Sequence, residues 1–243
     1  MMNWQEITTT DSPLLTPALE LYQRSFAEEI REPNEVLIRG IRESSRLLPT
    51  VYHFLVGLNE AGQVIALSTG YYLAEANCGF IVYLAVDPTQ QSNGIGGELI
   101  SQMERLFVQD AKAQGKIDPH VILETEREAD AHDQEEQVMC QRRLRFFHRQ
   151  GFRMVPETGY HQPPLHSDTP AVPLHLLIRT KRNPAVFTAV ELHGIVRAMY
   201  IEKYHKINGL PREMLQELDG KINIGLRSIQ LEEIVGHRSI TKK

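Results

Sequence analysis

The chain has 243 residues, of which 42% are hydrophobic and 23% are charged, so it can bury the core of one or two domains and is not disordered as a whole. Its formal net charge of -5 argues against a dedicated nucleic-acid-binding protein, since such proteins usually carry a basic surplus. Two cysteines, Cys78 and Cys140, are too few for a disulfide framework or a cysteine zinc site, and we expect no metal. No apolar run reaches the ~20 residues that cross a bilayer, and the first residues do not resemble a signal peptide, so we expect a cytoplasmic protein without a membrane partner.

The first part of the chain predicts two helices and then strands. Apolar residues at helical spacing predict helices over 14–30 and 34–47. The period then changes, and the segments 51–58 and 63–73 flank a four-residue turn, which predicts a β-hairpin. Residues 79–86 form a continuous apolar run that is typical of a strand buried on both faces.

The middle of the chain alternates helices and strands. An amphipathic helix, a short strand and a second helix are predicted over 94–112, 120–126 and 135–150. Strands near 152–160 and 174–180, joined by the proline-rich loop 161–173, are predicted to close the region. This order of elements predicts a mixed α/β domain.

The pattern shifts to helices after residue 182. A long helical pattern opens at Pro184, a shorter helix starts at Pro211, and another amphipathic stretch covers 224–235. We therefore divide the chain into a domain over 1–182 and a helical C-terminal extension over 183–243.

The loop that joins the buried strand 79–86 to helix 94–112 indicates a binding site. The segment 84–99, LAVDPTQQSNGIGGEL, places three glycines where the helix begins. Backbone N–H groups in a first helical turn have no intrahelical partner, and the helix dipole adds positive charge there. Glycines remove the Cβ atoms that would keep an anion away. The loop therefore predicts a phosphate site. It contains Gln91, Ser92, Asn93, Gly94, Ile95, Gly96 and Gly97.

Three phosphate-binding patterns compete with an ordinary glycine-rich turn. A Walker loop is excluded because no lysine follows Gly96 or Gly97. A dinucleotide fingerprint begins at Gly94, but Leu99 stands where its third glycine belongs. The pattern Q/R-x-x-G-x-G/A is matched in full by residues 91–96.

Two blocks in register extend this match. The strand, its Val86-x-Pro88 exit, the hexapeptide and the following helix together resemble the acyl-coenzyme A site of the GNAT N-acetyltransferase superfamily. Residues 145–152, RFFHRQGF, resemble that family's late F-Y-x-x-x-G-F block. The resemblance covers roughly residues 5–180 and implies an acyl-CoA N-acyltransferase fold, with a mostly antiparallel sheet splayed between two parallel strands.

The resemblance also implies a co-substrate and a reaction. Acetyl-CoA would be held by the backbone amides of residues 91–97, and its pantetheine arm would pair with Leu84, Ala85 and Val86. An oxyanion donor would come from a strand amide near Ala85 or Val86. The acceptor would be a primary amine of a small molecule or peptide that attacks the thioester directly. Glu28, Glu29 and Arg31 fall where the superfamily often lines its acceptor pocket.

The reaction needs a base, since an alkylammonium must lose a proton before it attacks. Glu124 and then Glu126 are the candidates, because alternate side chains of one strand point to the same face. The alternative is that both merely begin the acidic stretch 124–136. The family's usual tyrosine acid is replaced by Phe147, and Tyr160 is the candidate substitute, with a half-buried strand tyrosine as the equal alternative.

The sequence thus predicts an acetyl-CoA-dependent N-acetyltransferase. A longer acyl chain and a non-catalytic acyl-CoA-binding or regulatory module remain alternatives. The usual asparagine of the late helix is replaced by Cys140, which leaves one pantetheine contact unassigned. The apolar stripe of the extension predicts that it packs on the domain and contributes to a homodimer, while a lid over the acceptor site is the competing interpretation.

Overall fold

A mixed sheet forms the centre of the computed structural model, which describes residues 2–166, 169–223 and 228–234. In the described residues its strands are β1 (Asn3–Glu6), β2 (Val51–Leu58), β3 (Val64–Leu73), β4 (Cys78–Val86), β5 (His120–Glu126), β6 (Arg153–Met154), β7 (His161–Gln162) and β8 (Val172–Arg179). They lie in the order β1-β2-β3-β4-β5-β8-β6, and β7 pairs with another part of β8. Only β4 and β5 are parallel among these pairs. The predicted mixed α/β fold class is confirmed.

Helices cover both faces of the sheet. They are α1 (Leu15–Ser25), α2 (Asn34–Glu43), α3 (Ile95–Ala113), α4 (Gln134–Arg149), α5 (Ala189–Ala198) and α6 (Arg212–Asp219). Side chains of β2 alternate between the two cores: Phe54 packs with the residues of α1, α2 and α5, whereas Leu55 packs with those of α3 and α4. The predicted stripe of α3 is confirmed, since Leu99, Met103 and Phe107 are fully buried.

The first two helices are shorter than the sequence predicts. α1 ends at Ser25 and a 3-10 turn follows over Glu28–Ile30, because Arg31 donates to the carbonyls of Gln23 and Phe26 and so caps the end of the helix. α2 likewise ends at Glu43, before a 3-10 turn.

The predicted strand over 152–160 is wrong beyond its first residues. β6 covers only Arg153–Met154, and Met154 then exchanges two backbone hydrogen bonds with Glu232, so a late segment of the chain takes the outer edge. The predicted loop 161–173 is also corrected, since β7 lies within it and β8 already begins at Val172.

The C-terminal extension begins with a strand instead of a helix. β9 (Val186–Phe187) pairs with β10 (Ile229–Gln230), and α5 starts only where Thr188 and Glu191 form a capping box. A π-helical segment, Met199–His205, continues α5. Of the predicted amphipathic stretch 224–235, residues 224–227 and 235 lie outside the described residues, and β10 replaces a helix in between.

The apolar stripe of the extension is covered by the chain's own core. Phe187, Ile195 and Met199 are buried in the cluster that holds the residues of α1 and α2, whereas Val190 is 82% exposed. The predicted packing on the domain is therefore observed, and the homodimer stays a prediction. Among the described residues, no helix combines the length and apolarity needed to span a bilayer.

A buried histidine joins β1, β2 and α3. His53 Nδ1 lies 2.6 Å from Glu6 Oε1, and its Nε2 lies 2.6 Å from Asp110 Oδ2. Burial by itself would lower the pKa of His53, but the hydrogen bonds and charges of Asp110 and Glu6 outweigh burial and raise that pKa to about 9. Both ring nitrogens donate in the imidazolium, so the arrangement is a charged clamp.

This clamp predicts a loss of stability at alkaline pH. The pKa of His53 is higher in the folded state than its unfolded value of about 6.5. The stabilisation from His53 is therefore fully present below about pH 6.5, and it is lost as the pH rises through about 9. We expect the free energy of unfolding to fall by up to about 3 kcal/mol between about pH 6.5 and about pH 10. The free energy of unfolding of the His53→Gln variant should already be lower near neutral pH. It should not show the additional decrease with pH that the titration of His53 causes. If urea unfolding shows the same decrease in the free energy of unfolding with pH for both proteins, the clamp is contradicted.

Candidate active site

The parallel strands β4 and β5 separate part-way along their length. They pair only over Cys78–Ile81 and His120–Leu123, although both strands are described to their ends. β4 also bulges at Val82, which has no partner on β3 although Ile81 and Tyr83 do. The predicted splay of the sheet is therefore present, and it leaves an opening between the carboxyl-terminal halves of the two strands.

A cavity of about 180 Å³ lies at this opening. One wall is formed by residues 81–84 of β4 and the opposite wall by residues 123–126 of β5. α4 adds Arg143 and Phe147, and the π-helical segment adds Lys203. Apolar lining comes from the region around α1 and from the segment that runs from β7 into β8, with Phe26, Ile30, Pro163, Leu165, Val172 and Leu174. Glu29 also lines the cavity, whereas Glu28 and Arg31 do not.

Glu124 is a half-buried carboxylate in the wall of this cavity. The hydroxyls of Tyr160 and Tyr204 both donate to it, the latter at 2.9 Å, and Gln162 Nε2 donates at 3.0 Å. Burial raises the pKa of the Glu124 carboxyl, and these hydrogen bonds together with the charge of Lys203 offset that effect only in part. The result is an oriented carboxylate with increased basicity, which suits a proton acceptor.

Tyr160, the predicted acid, lies next to Glu124 and outside the cavity lining. Its side chain is buried, its hydroxyl donates to Glu124, and it does not line the cavity. Burial raises the pKa of Tyr160 well above the usual range. Tyr160 is therefore placed to orient Glu124.

Two further partners of this carboxylate were not predicted from the sequence. Tyr204 follows Glu124 by 80 residues and lies in the extension. Gln162 belongs to the two-residue strand β7 inside a predicted loop. Only the position of Gln162 directly after the predicted strand 152–160 could have drawn attention to it, and no sequence pattern connects Tyr204 with Glu124.

Glu126 also lines the cavity but is engaged by a cation. Arg143 Nη1 donates to Glu126 Oε1 at 2.8 Å, and Arg143 Nη2 lies 3.5 Å from Cys140 Sγ. Cys140 is buried, which raises the pKa of its thiol, so it is not an activated nucleophile. Phe147 lines the cavity and has no acidic proton to donate.

The predicted phosphate loop leaves its backbone donors free within the described residues. None of the N–H groups from Gln91 to Gly96 donates to another described residue. Ser92 and Gly94 both have left-handed backbone, with φ of 68° and 79°. Gly94 is the N-cap of α3, and a Cβ built on it would meet no atom within 4 Å. Consecutive free amides facing open space at a helix start form an anion-binding concavity.

The next two glycines of the loop have a second reason to be small. A Cβ on Gly96 would lie 3.1 Å from Phe146, and one on Gly97 would lie 2.7 Å from Gln150. The start of α3 therefore packs closely on the end of α4. Close packing, and not only access for an anion, accounts for these two glycines.

The free edge of β4 presents alternate backbone groups to the opening. Asp87 N–H donates to Ile65 on β3, so Ala85, two residues earlier, also faces β3. The polar groups of Leu84 and Val86 face the other way, and Gln91 Nε2 donates to the Val86 carbonyl at 3.2 Å. Leu84 and Val86 are therefore better placed than Ala85 for the predicted pairing and for an oxyanion donor.

The family model described as Acetyltransferase (GNAT) family matches residues 14–134, which include β4, the phosphate loop, α3 and β5. This chain belongs to the GNAT acetyltransferase family. A GNAT-family acetyltransferase from Bacteroides thetaiotaomicron superposes with a TM-score of 0.61 at 19% identity, covering 86% of this chain and 99% of that one, and confirms the GNAT fold.

Other comparisons are more distant. The PaiA N-acetyltransferase of Thermoplasma acidophilum, solved in complex with coenzyme A, superposes with a TM-score of 0.48 at 16% identity, covering 74% of this chain and 99% of that one. No curated protein sequence gave a significant match. Within the described part of this GNAT chain, no three histidine, cysteine, aspartate or glutamate side chains form a group suited to a metal ion.

Proposed function

We propose that this GNAT protein is an acetyl-CoA-dependent N-acetyltransferase that acts on a primary amine. The observation that carries the proposal is the oriented Glu124 carboxylate in the opening between β4 and β5. Family membership supports an acyl-CoA donor, and the free amides of residues 91–96 supply the place for its pyrophosphate. The same cavity has room for a thioester end and for part of an acceptor.

Glu124 removes the proton that blocks attack. An alkylammonium has a pKa of about 10, so little free amine is present near neutral pH. A carboxylate with a raised pKa accepts a proton more readily than an ordinary one, while Tyr160, Tyr204 and Gln162 hold it in one orientation. The amine then attacks the thioester carbon, and a backbone N–H of the free β4 edge stabilises the developing oxyanion.

The walls favour an amine that carries an apolar group. The apolar lining named above surrounds a few charged side chains, and both cations of the lining are already paired with carboxylates, Lys203 with Glu32 and Arg143 with Glu126. The described lining holds three carboxylates, Glu29, Glu124 and Glu126, against these two cations, which favours a positively charged acceptor. We therefore propose a cationic amine, on a small molecule or peptide, as the acceptor.

A second candidate is an acyl-CoA-binding module without turnover. Phe147 favours this candidate, because it stands where the family usually has a tyrosine and it has no hydroxyl that could donate a proton. Titration with acetyl-CoA, together with a coenzyme A-release assay against pooled amines, separates the two candidates. Amine-dependent release supports the enzyme. Binding of acetyl-CoA without release on any amine supports the module.

Replacing Gly94 with Val is expected to weaken acetyl-CoA binding by more than about tenfold, a loss above ~1.4 kcal/mol. The added side chain would stand in the open space before the free amides. Gly62 is the matched control, because it also has a positive φ of 76° and an open Cβ direction but lies in the β2–β3 turn. If Gly94→Val and Gly62→Val bind acetyl-CoA equally well, the phosphate loop is wrongly assigned.

A further inference from the structure

Arg143 lies in the cavity wall beside Phe147. The two residues are four positions apart on α4, so their side chains share one face of the helix one turn apart. Both line the cavity together with Glu126. Arg143 thus brings a permanent positive charge to the part of the site where Phe147 provides no hydroxyl.

The guanidinium is held in place but retains donors. Its Nη1 donates to Glu126 at 2.8 Å and its Nη2 contacts Cys140 Sγ at 3.5 Å. A guanidinium has five N–H groups, so both terminal nitrogens keep one that these contacts do not use. The side chain is 38% exposed, and its Nε is buried without a partner among the described residues.

The other candidate donors around the cavity are committed elsewhere. Lys203 is buried and paired with Glu32. Tyr160 donates to Glu124 and does not line the cavity. Of the cations in the described lining, Arg143 is the one that combines spare N–H groups with partial exposure.

We propose that Arg143 stabilises the coenzyme A thiolate as it leaves, and that Glu126 positions Arg143 for this task. The inference rests on the proposed function. When the tetrahedral intermediate collapses, the C–S bond breaks, its electron pair stays on sulfur, and the acyl group remains on the amine nitrogen, which loses its extra proton to water. Arg143 keeps its proton, since a guanidinium does not release one near neutral pH. It donates hydrogen bonds to the thiolate, which takes a proton from water after release.

A binding experiment isolates this contact from the rest of catalysis. A cation beside the sulfur lowers the pKa of the bound thiol from its usual value of about 8.5, so coenzyme A should bind more tightly as the pH rises. Desulfo-coenzyme A lacks the sulfur and controls for every other contact. We expect the ratio of the two affinities, measured by calorimetry on the full chain, to rise about tenfold between about pH 6.5 and about pH 9.5.

Variants test the residue assignment. Arg143→Gln should abolish the rise in the affinity ratio, and Arg143→Lys should keep part of it because the charge remains. Arg142→Gln is the matched control, since Arg142 is an exposed neighbour on α4 that does not line the cavity, and it should behave as the wild type.

The outcomes separate the inference from the proposed function. A flat ratio in the wild type, or an undiminished rise in Arg143→Gln, overturns the role of Arg143 while coenzyme A binding stands. If neither coenzyme A nor its desulfo analogue binds the wild type, the proposed function fails and this inference fails with it. The wild-type ratio remains informative even if a variant does not fold.

Discussion

Replacing Glu124 with Gln is expected to lower kcat about 100-fold or more while acetyl-CoA binding stays intact, because a positioned general base contributes about that factor. Glutamine keeps the size of the side chain but cannot accept the proton. In the wild type, kcat should fall as the pH drops through the raised pKa of Glu124, since the active form is the ionised carboxylate. The variant should lack this acidic limb.

The matched control for this variant is Glu135→Gln. Glu135 is exposed in the first turn of α4 and belongs to the same acidic stretch, so it tests whether a missing negative charge alone matters. It should leave kcat unchanged. Full kcat in Glu124→Gln between about pH 6 and about pH 9 would place the base elsewhere, and Glu126 would be the next candidate.

Replacing Lys203 with Met is expected to destabilise the protein by about 3 kcal/mol or more, because removal of one partner leaves a buried charge uncompensated. Lys203 and Glu32 are 1% and 3% exposed, and Asn208 also donates to the Glu32 carboxylate. The ion pair joins the π-helical segment to the chain between α1 and α2, beneath the part of the site that holds Glu124. Urea unfolding followed by circular dichroism measures the loss.

Two further variants serve as controls for the Lys203→Met result. The double variant Lys203→Met/Glu32→Leu should recover part of the stability, since no buried charge is then left unpaired. Lys181→Met removes the exposed pair with Asp118 and should not change the unfolding midpoint measurably. A Lys203→Met midpoint equal to that of the wild type would show that the pair does not hold the extension on the domain.

The part of the fold around the phosphate loop could be predicted because its signals are local. The buried run of β4 and the stripe of α3 each follow from the spacing of apolar residues within one element. The glycines at the start of α3 follow from what a helix terminus needs. Glu124 and Glu126 could be predicted to share a wall because the strand period is two.

Other parts could not be predicted because they depend on distant partners. β1 is four residues of largely polar sequence, and it is a strand because β2 offers it a free edge. The outer edge of β6 is paired at Met154 by Glu232, a partner that lies far along the chain. Tyr204 reaches Glu124 only because the extension folds back on the domain, and a helical apolar stripe does not specify which surface covers it.

We propose that the acyl thioester lies in the opening between β4 and β5, with Glu124 on one side and the phosphate loop at the far end. A crystal structure of the protein with coenzyme A tests it most directly. We expect the pyrophosphate on the backbone amides of residues 91–96, the pantetheine arm along Leu84 and Val86, and the sulfur in the cavity near Glu124 and Arg143. Coenzyme A bound anywhere else, or with its sulfur outside this cavity, would contradict the claim.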